Sequence, residues 1–110
     1  MSEHIEVRRE GAVQTVRMNR PEKKNAITRA MYAAMAKAFA DGDADESVRV
    51  HLVLGVPGAF SSGNDLADFM AVATGGEQGM EVFDFLLALA TTRKPVVSGV
   101  DGIAVGIGTT

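Results

Sequence analysis

Ile5 and Val7 alternate with Glu6 and Arg8, and beyond Glu10-Gly11 the run from Ala12 to Met18 is again β-rich, with Val16 and Met18 on one face. Period-two alternation on both sides of a glycine turn predicts a hairpin of two strands. Asn19 to Asn25 then breaks the pattern with Pro21 and a cluster of charge, and reads as a loop. From Thr28, a suitable N-cap, Met31, Ala34, Met35, Ala38 and Phe39 recur at helical spacing, which predicts a helix that Asp41-Gly42-Asp43 ends. Val48 to Leu54 follows as a strand, with Val48, Val50, Leu52 and Leu54 on one face and Arg49, His51 and Val53 on the other.

Leu66 to Val72 suits a short helix, and Thr74-Gly75-Gly76-Glu77-Gln78-Gly79 has the composition of a mobile loop. Met80, Phe83, Leu86, Leu87 and Ala90 mark the apolar stripe of a further amphipathic helix, which Lys94-Pro95 stops, and Val96 to Val100 is expected as a buried strand. Strand, glycine turn and helix thus occur twice in succession, the order of an α/β protein. The two turns, Gly58 to Leu66 and Gly102 to Thr110, each follow an apolar β-branched run and can present bare backbone N–H groups where a helix begins. Two such donors aimed at one point form an oxyanion hole.

Composition narrows the alternatives. A chain of 110 residues is one domain at most, and 46% hydrophobic with 23% charged residues is ordinary for a globular protein. A net charge of −3 and a pI near 5.3 provide no general field for nucleic acid or an anionic membrane, so neither is expected as a partner. The loop cations Arg20, Lys23 and Lys24, with Arg29 beyond, are the one local place for a highly charged ligand. There is no cysteine, which removes disulfides and thiolate chemistry. The start Met1-Ser-Glu-His-Ile-Glu has neither the basic nor the apolar part of a secretory signal, and no apolar run reaches membrane-span length, so a cytoplasmic location is expected. Thr109-Thr110 directly follows a Gly-x-Gly turn that should open a helix, which suggests an incomplete domain.

Neither turn carries a His, Cys or carboxylate cluster of the kind that binds a metal, and no metal is expected. Ser61 and Ser62 lack a Gly-x-Ser-x-Gly elbow, and the histidines are His4 near the terminus and His51 on a strand, the latter suited to a solvated or hydrogen-bonded structural role. Asp65 is better placed to cap the following helix or tie down its loop than to act as a general base. Gly102-x-x-x-Gly106-x-Gly108 is a weak match to a dinucleotide fingerprint, with no following strand and acidic residue.

Three ordered motifs span nearly the whole chain: Asn19-Arg20-Pro21-Glu22-Lys23-Lys24-Asn25-Ala26-Ile27, Ala59-Phe60-Ser61-Ser62-Gly63-Asn64-Asp65-Leu66, and Lys94 to Gly106. In type, order and spacing they resemble the signatures of the crotonase superfamily, the enoyl-CoA hydratase/isomerase family. The resemblance implies an α/β fold, a crotonase-like spiral of β-β-α units, of which residues 1–110 would form the amino-terminal portion of one domain. It also implies an acyl-coenzyme A thioester as substrate, with coenzyme A part of that substrate and no separate cofactor.

By motif position, the resemblance makes the backbone N–H groups of Asn64 and Ile107 the catalytic donors to the thioester oxygen as an enolate forms. Charge that appears only as the reaction proceeds is stabilised by prepositioned amides, typically by about 3 kcal/mol per donor. The nucleotide and pantetheine would lie near Lys23, Lys24 and Ala26 and near Ser62, Gly63, Asn64, Asp65 and Leu66, with Gly106 in the second turn. Thr110 stands where family members that hydrate a double bond have a glutamate, and threonine has no useful basicity near neutral pH. Ile107 replaces the middle glycine of the usual triplet. With the Ser-Ser-Gly-Asn-Asp-Leu form of the first motif, these departures resemble the Δ3,Δ2-enoyl-CoA isomerase branch, whose carboxylate is expected beyond Thr110. Hydratase activity is the alternative, and an inactive acyl-CoA-binding or interaction fragment is a third reading. Family likeness further implies a homotrimer or dimer of trimers.

Overall fold

The computed structural model describes residues 3–75 and 80–110. Strands β1 (Ile5–Glu10) and β2 (Val13–Met18) form the expected antiparallel hairpin, turned at Gly11 with φ +59°. A single 3-10 turn, Pro21–Lys23, occupies the charged loop. Helix α1 (Arg29–Ala44) starts at Thr28, whose side-chain oxygen accepts the Met31 N–H, and buries Met31, Tyr32, Ala34, Met35, Ala38 and Phe39. The helix continues through Gly42 rather than stopping at Asp41-Gly42-Asp43. Gly42 packs so closely on the sheet that a Cβ would stand 2.6 Å from both Gln14 and His51, and Lys94 Nζ donates to the Gly42 and Asp45 carbonyls at 2.6 Å. These contacts outweigh the low helical propensity of glycine.

Strands β3 (Val50–Leu54) and β4 (Ala59–Ser61) come next, then helices α2 (Leu66–Gly75) and α3 (Met80–Thr91), and finally β5 (Val96–Gly99) and β6 (Ile103–Ala104). The expected mobile loop divides: Thr74 and Gly75 belong to α2, and the rest lies outside the described residues. The order is a β-β-α unit (β1, β2, α1), a second (β3, β4, then α2 and α3), and the strands of a third (β5, β6). β3 and β5, the first strands of the later units, join the hairpin in a sheet of order β1-β2-β3-β5, both in parallel pairing. β4 and β6, the second strands, pair in parallel in a sheet of their own. Both were hidden inside what the sequence presents as glycine turns.

The core lies between the larger sheet and the helices, where Val16, Met18 and Ile27 meet Met31, Met35, Phe39 and Phe85. Burying one such large apolar side chain contributes about 2–3 kcal/mol. Two expectations about it fail. Helix α3 turns Phe85 inward, with Val82, Ala88 and Leu89 partly buried, whereas Met80, Phe83, Leu86 and Leu87 are exposed. Its sequence, MEVFDFLLALAT, is apolar on most sides, so periodicity cannot choose a face; the Phe39 and Tyr32 rings of α1 choose it by packing on Phe85. Strand β5 pairs with β3 but is not buried as expected: it has one sheet neighbour among the described residues, and Val97, with Val100 just beyond the strand, is about half exposed.

His51 is wholly buried, hydrogen-bonded and not solvated. Its ring meets Phe39 edge-on, Nε2 bonds to Asp43 at 2.8 Å, and Nδ1 to Gln14 at 3.1 Å. Burial pushes the Asp43 carboxyl up, but hydrogen bonds from Thr92 and His51 and the nearby charges of His51 and Lys94 outweigh it, leaving it below the ordinary value. This cluster ties the end of α1 to the start of β5 and is structural.

Candidate active site

The charged loop is shaped around Asn25, which is fully buried in the left-handed region at φ +57°. Its Nδ2 donates to the carbonyls of Met18 (3.1 Å), Ala59 (3.0 Å) and Phe60 (3.1 Å), and its Oδ1 accepts the Arg20 N–H at 2.7 Å. The loop is thereby laid along the first glycine turn. Ser62 N–H donates to Lys24 O at 3.1 Å, Ile27 N–H to Gly63 O at 2.8 Å, and Asp65 N–H to Ile27 O at 2.9 Å. Lys23, Lys24 and Ala26 thus run beside Ser62, Gly63, Asn64 and Asp65, so residues the sequence separates form one ridge, with Leu66 exposed at its end.

Of the four cations in this region, two are engaged internally. Arg20 donates to Asp65 at 2.7 Å and to Ala26 O at 3.0 Å, and Arg29 is paired with Asp68 at 3.2 Å. Lys23 and Lys24 are exposed and have no carboxylate partner among the described residues. Asp65 has the capping and tethering role expected of it: Oδ1 accepts the Asp68 N–H in the first turn of α2, and Oδ2 takes Arg20. The Asp68 amide first, then the Arg20 guanidinium, holds its carboxyl below the usual carboxylate range. Ser61 is buried, donating to Asn25 O and accepting the Gly63 N–H, so it is part of the scaffold.

The second turn docks on the first. Ile103 N–H donates to Gly58 O at 3.2 Å and Val105 N–H to Ser61 O at 3.0 Å. A Cβ on Gly63 would stand 3.2 Å from Val105 O, one on Gly106 4.0 Å from the Gly63 Cα, and one on Gly108 only 2.6 Å from Ser61 O. Gly63 and Gly106 both have positive φ, +100° and +58°. Gly106–Gly108 forms one 3-10 turn, closed by the amides of Gly108 and Thr109.

Among the backbone donors left unused in these turns are the two named by motif position. The pairing with Ile27 uses the carbonyl before Asn64 and the amide after it, so the Asn64 N–H points away from Ile27 and makes no hydrogen bond among the described residues. The Ile107 N–H, at the open start of the 3-10 turn, is likewise unbonded among them. Two bare amides on two interlocked turns can stabilise one developing oxyanion. An apolar cavity of about 320 Å³ opens on the Ile107 side, walled by Phe39, Val53, Phe85, Leu89 and Val96 and by the second turn from Ile107 to Thr110; Asn64 is not among its lining residues.

The sequence profile of the enoyl-CoA hydratase/isomerase family matches residues 8–110. The chain belongs to that family. Among curated relatives, it is 37% identical over 105 residues to the Arabidopsis thaliana protein named "probable enoyl-CoA hydratase 1, peroxisomal", covering 94% of this chain and 39% of that one. It is 35% identical over 114 residues to enoyl-CoA delta isomerase 2 of Rattus norvegicus, covering 99% and 29% respectively. Among solved structures, Pseudomonas aeruginosa OdaA superposes with a TM-score of 0.89 at 45% identity, over 98% of this chain and 43% of that one. The α/β architecture described above is therefore that of a crotonase-like enzyme, and the chain spans less than half the length of these relatives. No helix among the described residues is long and apolar enough to cross a membrane.

Two residues have no signal in the sequence. Tyr32 reads there as a position in helix α1, yet its hydroxyl donates to the Asn64 side chain. Glu81, in the first turn of α3, keeps Oε1 buried without a hydrogen-bond partner. Neither carries a motif, so only the packing reveals them.

Proposed function

We propose that this chain carries the oxyanion hole and part of the coenzyme A site of an enzyme that moves the double bond of a 3-enoyl-CoA to the 2 position. The observation that carries the proposal is the pair of unbonded amides, Asn64 and Ile107, on turns locked together by the β4–β6 pairing. A thioester oxygen accepting from both would be stabilised as the enolate forms, because the donors are held before charge develops. Exposed Lys23 and Lys24 on the ridge beside Ser62, Gly63, Asn64, Asp65 and Leu66 suit the phosphates of the nucleotide. Gly106 keeps the backbone open at the second turn.

Isomerisation is favoured over hydration by Thr110, exposed and bonded to Gly106 O, where water activation needs a carboxylate. The base that shuttles the proton between C2 and C4 is placed beyond Thr110 in this reading. Hydration is the second reading, supported by relatives named as hydratases. Coenzyme A enters as part of the substrate without a further cofactor, and a cytoplasmic homotrimer or dimer of trimers belongs to the same reading. The test is a parallel assay on a 3-enoyl-CoA and a 2-enoyl-CoA, with Glu81→Gln beside the unmodified protein and acyl-CoA binding followed by calorimetry. Double-bond migration, retained in Glu81→Gln, is the expected result. Efficient hydration with little migration overturns the isomerase reading, binding without turnover leaves a binding module, and loss of activity in Glu81→Gln moves the base into this chain.

A further inference from the structure

Tyr32 stands where the three helices meet, its ring edge-on to Phe69 of α2 at 6.2 Å and tilted against Phe85 of α3 at 5.3 Å, with no exposed surface. A phenylalanine would fill the same space, so packing does not account for the hydroxyl, and burying a hydroxyl without a partner is costly. Its one hydrogen-bond partner among the described residues is Asn64 Oδ1. Burial pushes the phenol up to about 12, so it keeps its proton, and that proton has Asn64 Oδ1 as its acceptor. The orientation of the Asn64 carboxamide follows: Oδ1 is turned to Tyr32.

Asn64 is thus held from two directions. Its backbone is clamped by the bonds between Ile27 and Gly63 O and between Asp65 N–H and Ile27 O, and its side chain is tethered to the helical layer. The group left over is its own N–H. Gly63, directly before it, has φ +100° and no side chain to restrict the turn. Without a tether on the other side, the peptide plane between Gly63 and Asn64 is held by the Gly63 carbonyl alone.

We propose that Tyr32 is a positioning residue, which fixes the direction of the Asn64 amide through the Asn64 side chain. The proposal rests on the reading of that amide as an oxyanion donor. Tyr32 touches no substrate; it sets how well the donor is aimed, and a donor aimed poorly costs turnover more than binding.

The experiment is a double-mutant cycle of Tyr32→Phe, Asn64→Ala and both together, assayed on a 3-enoyl-CoA, with the Asn64 amide followed by 15N-resolved NMR in the unmodified protein and in Tyr32→Phe. Tyr32→Phe is expected to lower kcat about 10-fold and change KM by less than about twofold. In the Asn64→Ala background the same change is expected to cost nothing further, because the side chain it acts through is gone. An equal loss in both backgrounds overturns the proposal, since that is what a general packing role gives. If the unmodified protein turns over no enoyl-CoA, a base placed beyond Thr110 already accounts for it; an Asn64 amide unmoved by added acyl-CoA sinks the oxyanion reading, and NMR decides the positioning role. A shifted, faster-exchanging Asn64 amide in Tyr32→Phe, with α1 amides unchanged, then supports it, and an unmoved Asn64 amide overturns it.

Discussion

Replacing Asn25 tests whether one buried side chain joins the loop to the first turn. Asn25→Ala removes the acceptor of the Arg20 N–H and both Nδ2 protons, which serve the Met18, Ala59 and Phe60 carbonyls. Three pairings are lost, that of the Arg20 N–H and those made by the two Nδ2 protons, and at about 1–1.5 kcal/mol each the loss is about 3–4.5 kcal/mol. The φ of +57° adds a backbone cost, because alanine is disfavoured in the left-handed region by about 1 kcal/mol relative to asparagine. The expected destabilisation is about 4–5.5 kcal/mol, a large part of the stability of a domain this size. Asn25→Gly separates the two contributions: glycine adopts this φ freely, so only the hydrogen-bond part is lost, about 1 kcal/mol less than for alanine. Urea unfolding followed by circular dichroism measures both, with the shift in midpoint read at constant m. A loss under about 1.5 kcal/mol for Asn25→Ala, or a glycine variant no better than the alanine one, refutes the reasoning.

Two further predictions concern the docking of the turns and its dependence on pH. Gly102→Ala places a Cβ 2.2 Å from Gly58 O at φ +80°, so it is expected to separate β6 from β4 and cost about 3 kcal/mol or more in urea unfolding, whereas Gly58→Ala, with open space at its Cβ, pays only the cost of its positive φ; equal losses would refute the docking. Asp65 has its carboxyl lowered by the Asp68 amide and Arg20, so its contribution to stability is present above the unfolded value of 3.8 and is lost as pH falls through the lower folded value. Asp65→Asn is therefore expected to be less stable at neutral pH and to show a flatter loss of stability below about pH 4, read from thermal unfolding against pH; a profile parallel to that of the unmodified protein would refute it.

The local chain chemistry determined a good deal alone. Period-two alternation around Gly11, the cap at Thr28 with its helical stripe, and two glycine-rich segments at fixed distances from charged Arg20 to Lys24 are local or near-local features, and they specified the hairpin, α1 and the family. Roles that depend on immediate neighbours were equally legible, such as Asp65 capping the helix that follows it.

What spacing could not decide was which of several apolar surfaces meets which. Helix α3 is apolar on most sides, and only the presence of Phe39 and Tyr32 turned Phe85 inward and left Phe83 and Leu87 in solvent. Gly42 stayed helical because Gln14 and His51 fill the space beside it, and His51 became a core residue because Asp43 and Gln14 supply both of its ring nitrogens with partners. β4 and β6 are too short to form alone and exist through pairing with each other across more than 40 residues of chain. That pairing sets the two turns together, and the Tyr32 tether to Asn64 comes from a helix 32 residues earlier in the chain. The docking of the two turns that carry these amides is a three-dimensional matter, which residue identity supports but only the packing of distant segments sets.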